Sequence, residues 1–313
     1  MSESSGTFDL FFDHTAIDLT MMEASIALQS LMGVDIFTSY YADDVVSLKE
    51  YKEFCDFTGR IGTMLQLKAA QAQVAVYYPI DLMYRKNIPS SHSITENTDH
   101  NLRGFSEAEE LCDKNWKMAF SLLFEKKVEF DLIDRKKLLD QEEAFLYEAV
   151  LFPGFDETDD ELLARMEQLA ENGVTVYLQE NERPEVMEAL IQAQLPHCQM
   201  AGEKELAEYF KLGIRREICL SGDDRDVFMQ VQSLPEERII FLVNTAGEER
   251  QMLVFVSGGM KAELWNPKDG SMRKVKGEMK AAVPFGGSQM ALYPVELSGY
   301  EALFLVVTKR PEI

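Results

Sequence analysis

The sequence has no paired cysteines, no glycine-rich phosphate loop and few basic residues, and each shortage excludes a class of chemistry. Its four cysteines, Cys55, Cys112, Cys198 and Cys219, form no Cys-x-x-Cys or Cys-x-His pair. Neither a zinc site nor a disulfide framework is expected, and the four read as ordinary buried thiols. The patterns GxGxxG and GxxxxGK[ST] are absent, so Gly258-Gly259 and Gly286-Gly287 read as hairpin turns and no nucleotide cofactor is expected. Thirty-one Lys and Arg against 54 Asp and Glu give a net charge of -23. Phosphate backbones and anionic membranes need clustered cations, so nucleic acid and membrane are excluded as partners while neutral sugars stay compatible. No run approaches the ~18 apolar residues of a membrane span and no basic segment followed by an apolar run opens the chain. The expectation is a soluble, cytoplasmic protein. His92 and His100, near Glu96 and Asp99, lack metal-ligand spacing and read as part of an exposed loop from Asn87 to Arg103.

What is present is patterned. At 313 residues and 46% hydrophobic content the chain can build two or three cores. Residues 1–71 read as βα units: a helical stretch from Ala16 to Met32, the short apolar segment Val34–Phe37, and a second helix from Leu48 to about Lys68. Gly33 sits where a helix ends in a positive φ. Residues 72–216 alternate strand and helix. Val74–Pro79, Val128–Ile133, Ala149–Gly154 and Val174–Leu178 are the strands, and continuous apolar runs of this kind are buried on both faces of a parallel sheet. Helices are expected over Ser106–Lys126, with Ser106 and Glu109 as a capping box, and over Asp159–Glu171 and Pro184–Gln194. That rhythm predicts a doubly wound α/β sheet.

Residues 217–313 lose helical periodicity. Short alternating segments at Val227–Val231, Arg238–Asn244, Met252–Val256, Ala262–Trp265, Ala281–Phe285 and Ala302–Val307 predict an antiparallel β-sandwich. The run Trp265-Asn266-Pro267-Lys268-Asp269-Gly270 is a hairpin turn, placed between the alternating stretches Arg250–Val256 and Ser271–Val275. Pro fixes φ, and Gly accepts the positive φ of a tight turn. The fold class is therefore α/β plus all-β.

Five places, in order, resemble the C-terminal portion of multidomain glycoside hydrolases of the β-galactosidase and α-rhamnosidase barrel group. Ser2-Glu3-Ser4-Ser5-Gly6 resembles a "C-E-S-x-G" segment after a late barrel strand. Gly33-Val34-Asp35-Ile36 through Tyr40-Tyr41 resembles "G-I-N" and an aromatic loop. Tyr51 through Arg60 and Leu65 resembles the closing helix, Gln73–Pro79 the strand "D-V-A-V-L-Y-P", and the Trp265 hairpin "W-D-P-x-x-G". The resemblance implies the end of a (β/α)8 barrel, then a flavodoxin-like domain of the class I amidotransferase and trimerisation type, then a β-sandwich. It also implies carbohydrate as ligand and homo-oligomerisation through the α/β domain.

A full barrel takes about 250 residues, and the stretch ahead of Val74 holds about two of its eight units. Retaining glycoside cleavage needs two carboxyl groups ~5 Å apart at the ends of barrel strands. By resemblance Glu3 occupies the nucleophile position; read without it, Glu3 is a solvated acid near a terminus. Tyr40 and Tyr41 would stack on a sugar by resemblance, and otherwise pack on neighbouring helices. Arg60 reads as a structural residue, and Asp43 and Asp44 as acids opening the next helix. An amidotransferase elbow needs a nucleophile after the central strand, but Ala149–Phe152 runs into Pro153-Gly154-Phe155-Asp156. His197-Cys198 are adjacent and diverge, so no dyad is expected. The sequence thus leads to a truncated or degenerate glycoside hydrolase-like protein with Glu3 its one matching catalytic position. The alternative is a non-enzymatic oligomerisation or glycan-binding module.

Overall fold

The computed structural model describes residues 2–4, 18–39, 47–66, 72–80, 84, 107–139, 144–153, 160–179, 198–214, 217–281 and 289–309. They form two compact units, one from residues 1–70 with 215–313 and the other from residues 71–214. The expected helix Pro184–Gln194, the cap Ser106, the histidine loop and most of Ala281–Phe285 lie outside the described residues.

In the first unit the order is β1 (Ser2–Ser4), α1 (Leu19–Leu31), β2 (Phe37–Ser39) and α2 (Leu48–Leu65). Asp18 caps α1 by accepting from the Met21 amide, and Gly33 closes it at φ 89°. Ser47 and Glu50 form a reciprocal capping box on α2, a geometry that satisfies two otherwise orphaned amides. Those hydrogen bonds from Ser47 hold the Glu50 carboxyl below the usual range.

The second unit holds a parallel sheet of β3 (Val74–Tyr77), β4 (Phe130–Ile133), β5 (Ala149–Phe152), β6 (Thr175–Gln179) and β7 (Cys198–Ala201). The strand order is β4-β3-β5-β6-β7, the flavodoxin order. Helices α3 (Glu107–Glu125), α4 (Arg135–Leu139), α5 (Asp160–Glu171) and α6 (Glu203–Leu212) cover it. One face packs on α3 and α6 through Leu122, Leu123, Leu206 and Phe210. The other packs on α4 and α5 through Leu138, Leu162, Met166 and Leu169. Both β3 and β5 are buried along their whole length, as their uninterrupted apolar runs require.

The rest of the first unit is a sandwich built from β8 (Ile218–Gly222), β9 (Val227–Ser233), β10 (Glu237–Asn244), β11 (Arg250–Ser257), β12 (Gly259–Trp265), β13 (Met272–Val275), β14 (Glu278–Ala281), β15 (Gln289–Leu297) and β16 (Ala302–Lys309). Sheet β13-β12-β16-β10-β9 stacks on sheet β14-β15-β11-β8 through Ile240, Leu305, Val254 and Tyr293. The Trp265 turn joins β12 to β13, and Arg250–Val256 belongs to the other sheet, which corrects the strand pairing read from the sequence.

The five-stranded sheet is apolar on both faces. Its alternate residues Ile239, Phe241, Val243, Ala302, Phe304 and Val306 cluster with Ala27 and Leu31 of α1 and Phe57 and Ile61 of α2. The helices and the sandwich, separate regions in the sequence, therefore share one core. Across that face the register lines up Trp265, Phe304, Phe241 and Gln230 in one row, and the Phe241 and Phe304 rings stack with centroids 4.4 Å apart. The Gln232 side-chain amide donates to Leu65 O at 3.0 Å, holding the C-terminal turn of α2 against β9.

Candidate functional site

The strand that carries Glu3 pairs in parallel with the strand that precedes Tyr40. Glu3 faces Thr38 in the register, and Ser4 faces Ser39. Parallel pairing puts the carboxyl ends of both strands on the same side, so Glu3 lies one residue before the end of β1, and Tyr40 follows the end of β2. Tyr40 and Tyr41 themselves lie outside the described residues, as do Asp43 and Asp44. The described strand beside β1 contributes Phe37, Thr38 and Ser39, none of them a carboxylate.

The helices that follow these strands are fixed by the Trp265 turn. Asn266 builds the turn: its Oδ1 accepts from Lys268 N at 2.8 Å, and its carbonyl accepts from Gly270 N at 2.9 Å. Gly270 takes φ 75°, the conformation the Asp-Gly pair anticipates. The Ser271 amide donates to Asp269 Oδ1 at 2.8 Å, and hydrogen bonds from Ser271 hold that carboxyl below the usual range. Arg60 of α2 reaches this turn and donates from Nη1 to the carbonyls of Pro267 at 2.8 Å and Lys268 at 2.9 Å. One guanidinium nitrogen thereby satisfies two turn carbonyls and ties α2 to the turn. Two of the five sequence places, the closing helix and the Trp265 run, meet here.

Lys268 extends from the turn to Glu23 of α1, Nζ to Oε2 at 2.9 Å. Glu23 is buried at 4% exposure, and its Oε1 has no hydrogen-bond partner. Sequence reasoning passed over this residue, although a signal was there. Glu23 falls at helical spacing from Ala27 and Leu31, so an acid interrupts the apolar stripe that packs on the sheet.

In the α/β unit, the strand β5 ends at Phe152 and buried Pro153, where a nucleophile elbow would carry Cys or Ser. Cys198 lies in β7 and its neighbour His197 is outside the described residues. Burial first, then the nearby Glu167, pushes the Cys198 thiol up to about 11. A thiol held there stays protonated near neutrality and is a poor nucleophile. Cys55 is exposed on α2, which corrects the expectation of four buried thiols; Cys219 is buried. Alkylation by iodoacetamide at pH 8 followed by peptide mass mapping should therefore modify Cys55 before Cys198 and Cys219. Cys198 should react slowly, and faster as the pH climbs toward 11. Equal labelling of the two would contradict the assignment.

Among the described residues, no group of three or more His, Cys, Asp or Glu side chains could hold a metal ion, and no helix is long and apolar enough to cross a membrane.

No protein-family model and no curated protein sequence matches the chain. Its fold, however, matches part of several solved structures. A rhamnosidase from Novosphingobium sp. PP1Y shares 15% identity at a TM-score of 0.60, over 95% of this chain and 30% of that one. A catalytic mutant of a GH42 beta-galactosidase from G. stearothermophilus shares 11% identity at 0.59, over 94% and 51%. The alpha-L-fucosidase isoenzyme 2 from Paenibacillus thiaminolyticus shares 11% at 0.55, over 93% and 57%. The chain thus spans between about a third and just over half of these proteins and has the architecture of that portion, α/β and then β-sandwich, as the sequence resemblance implied.

Proposed function

We propose that the chain is a glycoside hydrolase-like protein of carbohydrate metabolism whose catalytic apparatus is incomplete within these 313 residues. In this reading residues 1–71 correspond to the end of a (β/α)8 barrel and residues 72–216 to an amidotransferase-like domain of the trimerisation type. Residues 217–313 are the C-terminal sandwich. The observation that carries it is the parallel β1–β2 pair, with Glu3 one residue from the end of its strand and Tyr40-Tyr41 just beyond the next. Barrel enzymes draw their catalytic groups from such strand ends. The fold likeness to a rhamnosidase, a beta-galactosidase and a fucosidase supports glycosidic bonds as the target class.

Glu3 takes the nucleophile role and Tyr40 and Tyr41 contact the sugar. The opposed acid, which must protonate the leaving oxygen and stand ~5 Å from the nucleophile carboxyl, comes from polypeptide other than β1 and β2. A panel of chromogenic glycosides tests this. The isolated chain should release no chromophore above the buffer rate, and hydrolysis that Glu3→Gln abolishes would show that both acids are already present.

A second reading, as an oligomerisation or glycan-binding module, is favoured by Leu132. It stands 52% exposed on β4, the outer strand of the parallel sheet among the described residues, and an outer strand with an exposed apolar side chain suits a partner.

A further inference from the structure

We propose that the outer edge of β13 is a docking site for an extended acidic segment of a partner protein, which adds to the five-stranded sheet as a further strand. β13 is the outermost strand of that sheet. It faces β12 in the register Trp265–Met272, Leu264–Arg273, Glu263–Lys274 and Ala262–Val275. In an antiparallel pair, alternate residues turn their backbone N–H and C=O groups away from the neighbouring strand. Among the described residues, no backbone hydrogen bond is made on the side of Met272–Val275 that faces away from β12. Such a row of unpaired groups is a template for another strand.

Charge selects that strand. The chain carries a net charge of -23, yet residues 261–280 hold six cations, Lys261, Lys268, Arg273, Lys274, Lys276 and Lys280, against three acids, Glu263, Asp269 and Glu278. Lys268 pairs with Glu23 and Lys280 with Glu278. Arg273, Lys274 and Lys276 are exposed and have no ion pair among the described residues. Successive strand residues point to opposite faces, so Arg273 places a cation on one face of the edge and Lys274 on the other. Acids at neighbouring positions of an incoming strand meet both. A second copy of β13 would instead bring like charges together, and like charges across a strand pair are destabilising. The edge therefore rejects its own kind and favours an acidic strand.

Cations on an edge strand also guard against aggregation. A guard alone does not account for Met272, which stands 62% exposed beside Arg273. A flexible apolar side chain at that place suits contact with an apolar residue of the partner.

Trp265 lies opposite Met272 in the ladder and reports on the edge. In the full chain carrying Trp116→Phe, its fluorescence is titrated with three capped peptides: alternating Glu and Val, alternating Lys and Val, and the Glu and Val peptide N-methylated throughout. The first should give a saturable change, half-complete on the order of 100 μM. Raising NaCl from about 50 mM to about 500 mM should weaken that binding about tenfold. The other two should give no response, because one carries the wrong charge and the other keeps the charge but has no amide to donate to the ladder. Arg273→Glu combined with Lys276→Glu should weaken the first peptide about tenfold and leave the urea midpoint unchanged, since both side chains are exposed. No response to the Glu and Val peptide, an equal response to either control peptide, or unchanged binding in the folded charge-reversed variant overturns the site.

Discussion

Phe304→Ala should lower the stability of the first unit by about 4 kcal/mol, the usual cost of emptying a buried phenylalanine site. Phe304 is 1% exposed and stacks on Phe241 in the middle of the row that ends at Trp265. Its ring faces the helices, in the cluster that holds Ala27, Leu31, Phe57 and Ile61. The cavity therefore opens between the sheet and the α1–α2 pair, and the neighbours cannot close it without moving a helix. Urea unfolding followed by Trp265 fluorescence, in a Trp116→Phe background, reads the loss. A change below about 1 kcal/mol would mean that residues 19–65 do not share the sandwich core.

Asn244→Leu should cost about 3 kcal/mol through lost hydrogen bonds and the polar groups left behind. Asn244 is fully buried at the end of β10. Its Nδ2 donates to Glu248 O at 2.7 Å and Ser298 O at 2.8 Å, and its Oδ1 accepts from Ala246 N at 3.1 Å. One side chain thus ties the β10–β11 turn to the β15–β16 turn. These turns are already in contact: a Cβ at Gly299 would come within 2.1 Å of Gly247 O. Leucine matches the volume but strands both carbonyls and the Ala246 amide. Hydrogen exchange at Ala246 should accelerate along with the loss of stability. Intact exchange protection with less than about 1 kcal/mol lost would contradict the role given to Asn244.

The elements legible in the sequence are those whose pattern is local. The uninterrupted apolar runs at Val74 and Ala149 gave parallel interior strands, and Asn-Pro with Asp-Gly gave the turn at residues 265–270. Strand β15 was missed because Pro294 interrupts its pattern. The structure tolerates that proline because it pairs with Leu253 on one side, while the β14 ladder on the other side begins only at Leu292. The short β7 and its helix α6 were missed as well, since Cys198-Gln199-Met200-Ala201 carries no clear period.

The site was less legible than the fold. Arg60 and Pro267 are 207 residues apart, and no local pattern links a helix-surface arginine to two carbonyls of a distant turn. Glu23 interrupts an apolar helical stripe, but no local pattern names Lys268, 245 residues away, as its partner. Glu3 stood out only by resemblance, since three residues of strand have too little pattern to mark a carboxylate as functional.

The central claim, that Glu3 holds the nucleophile position while the opposing acid lies elsewhere, is tested most directly by covalent capture. The chain is incubated with 2-deoxy-2-fluoro glycosides whose poor leaving group departs only when an acid opposite the nucleophile protonates it, and its intact mass is measured. The account predicts an unchanged mass. A mass increase of one glycosyl group, mapped to the peptide that carries Glu3 and absent from Glu3→Gln, would contradict it.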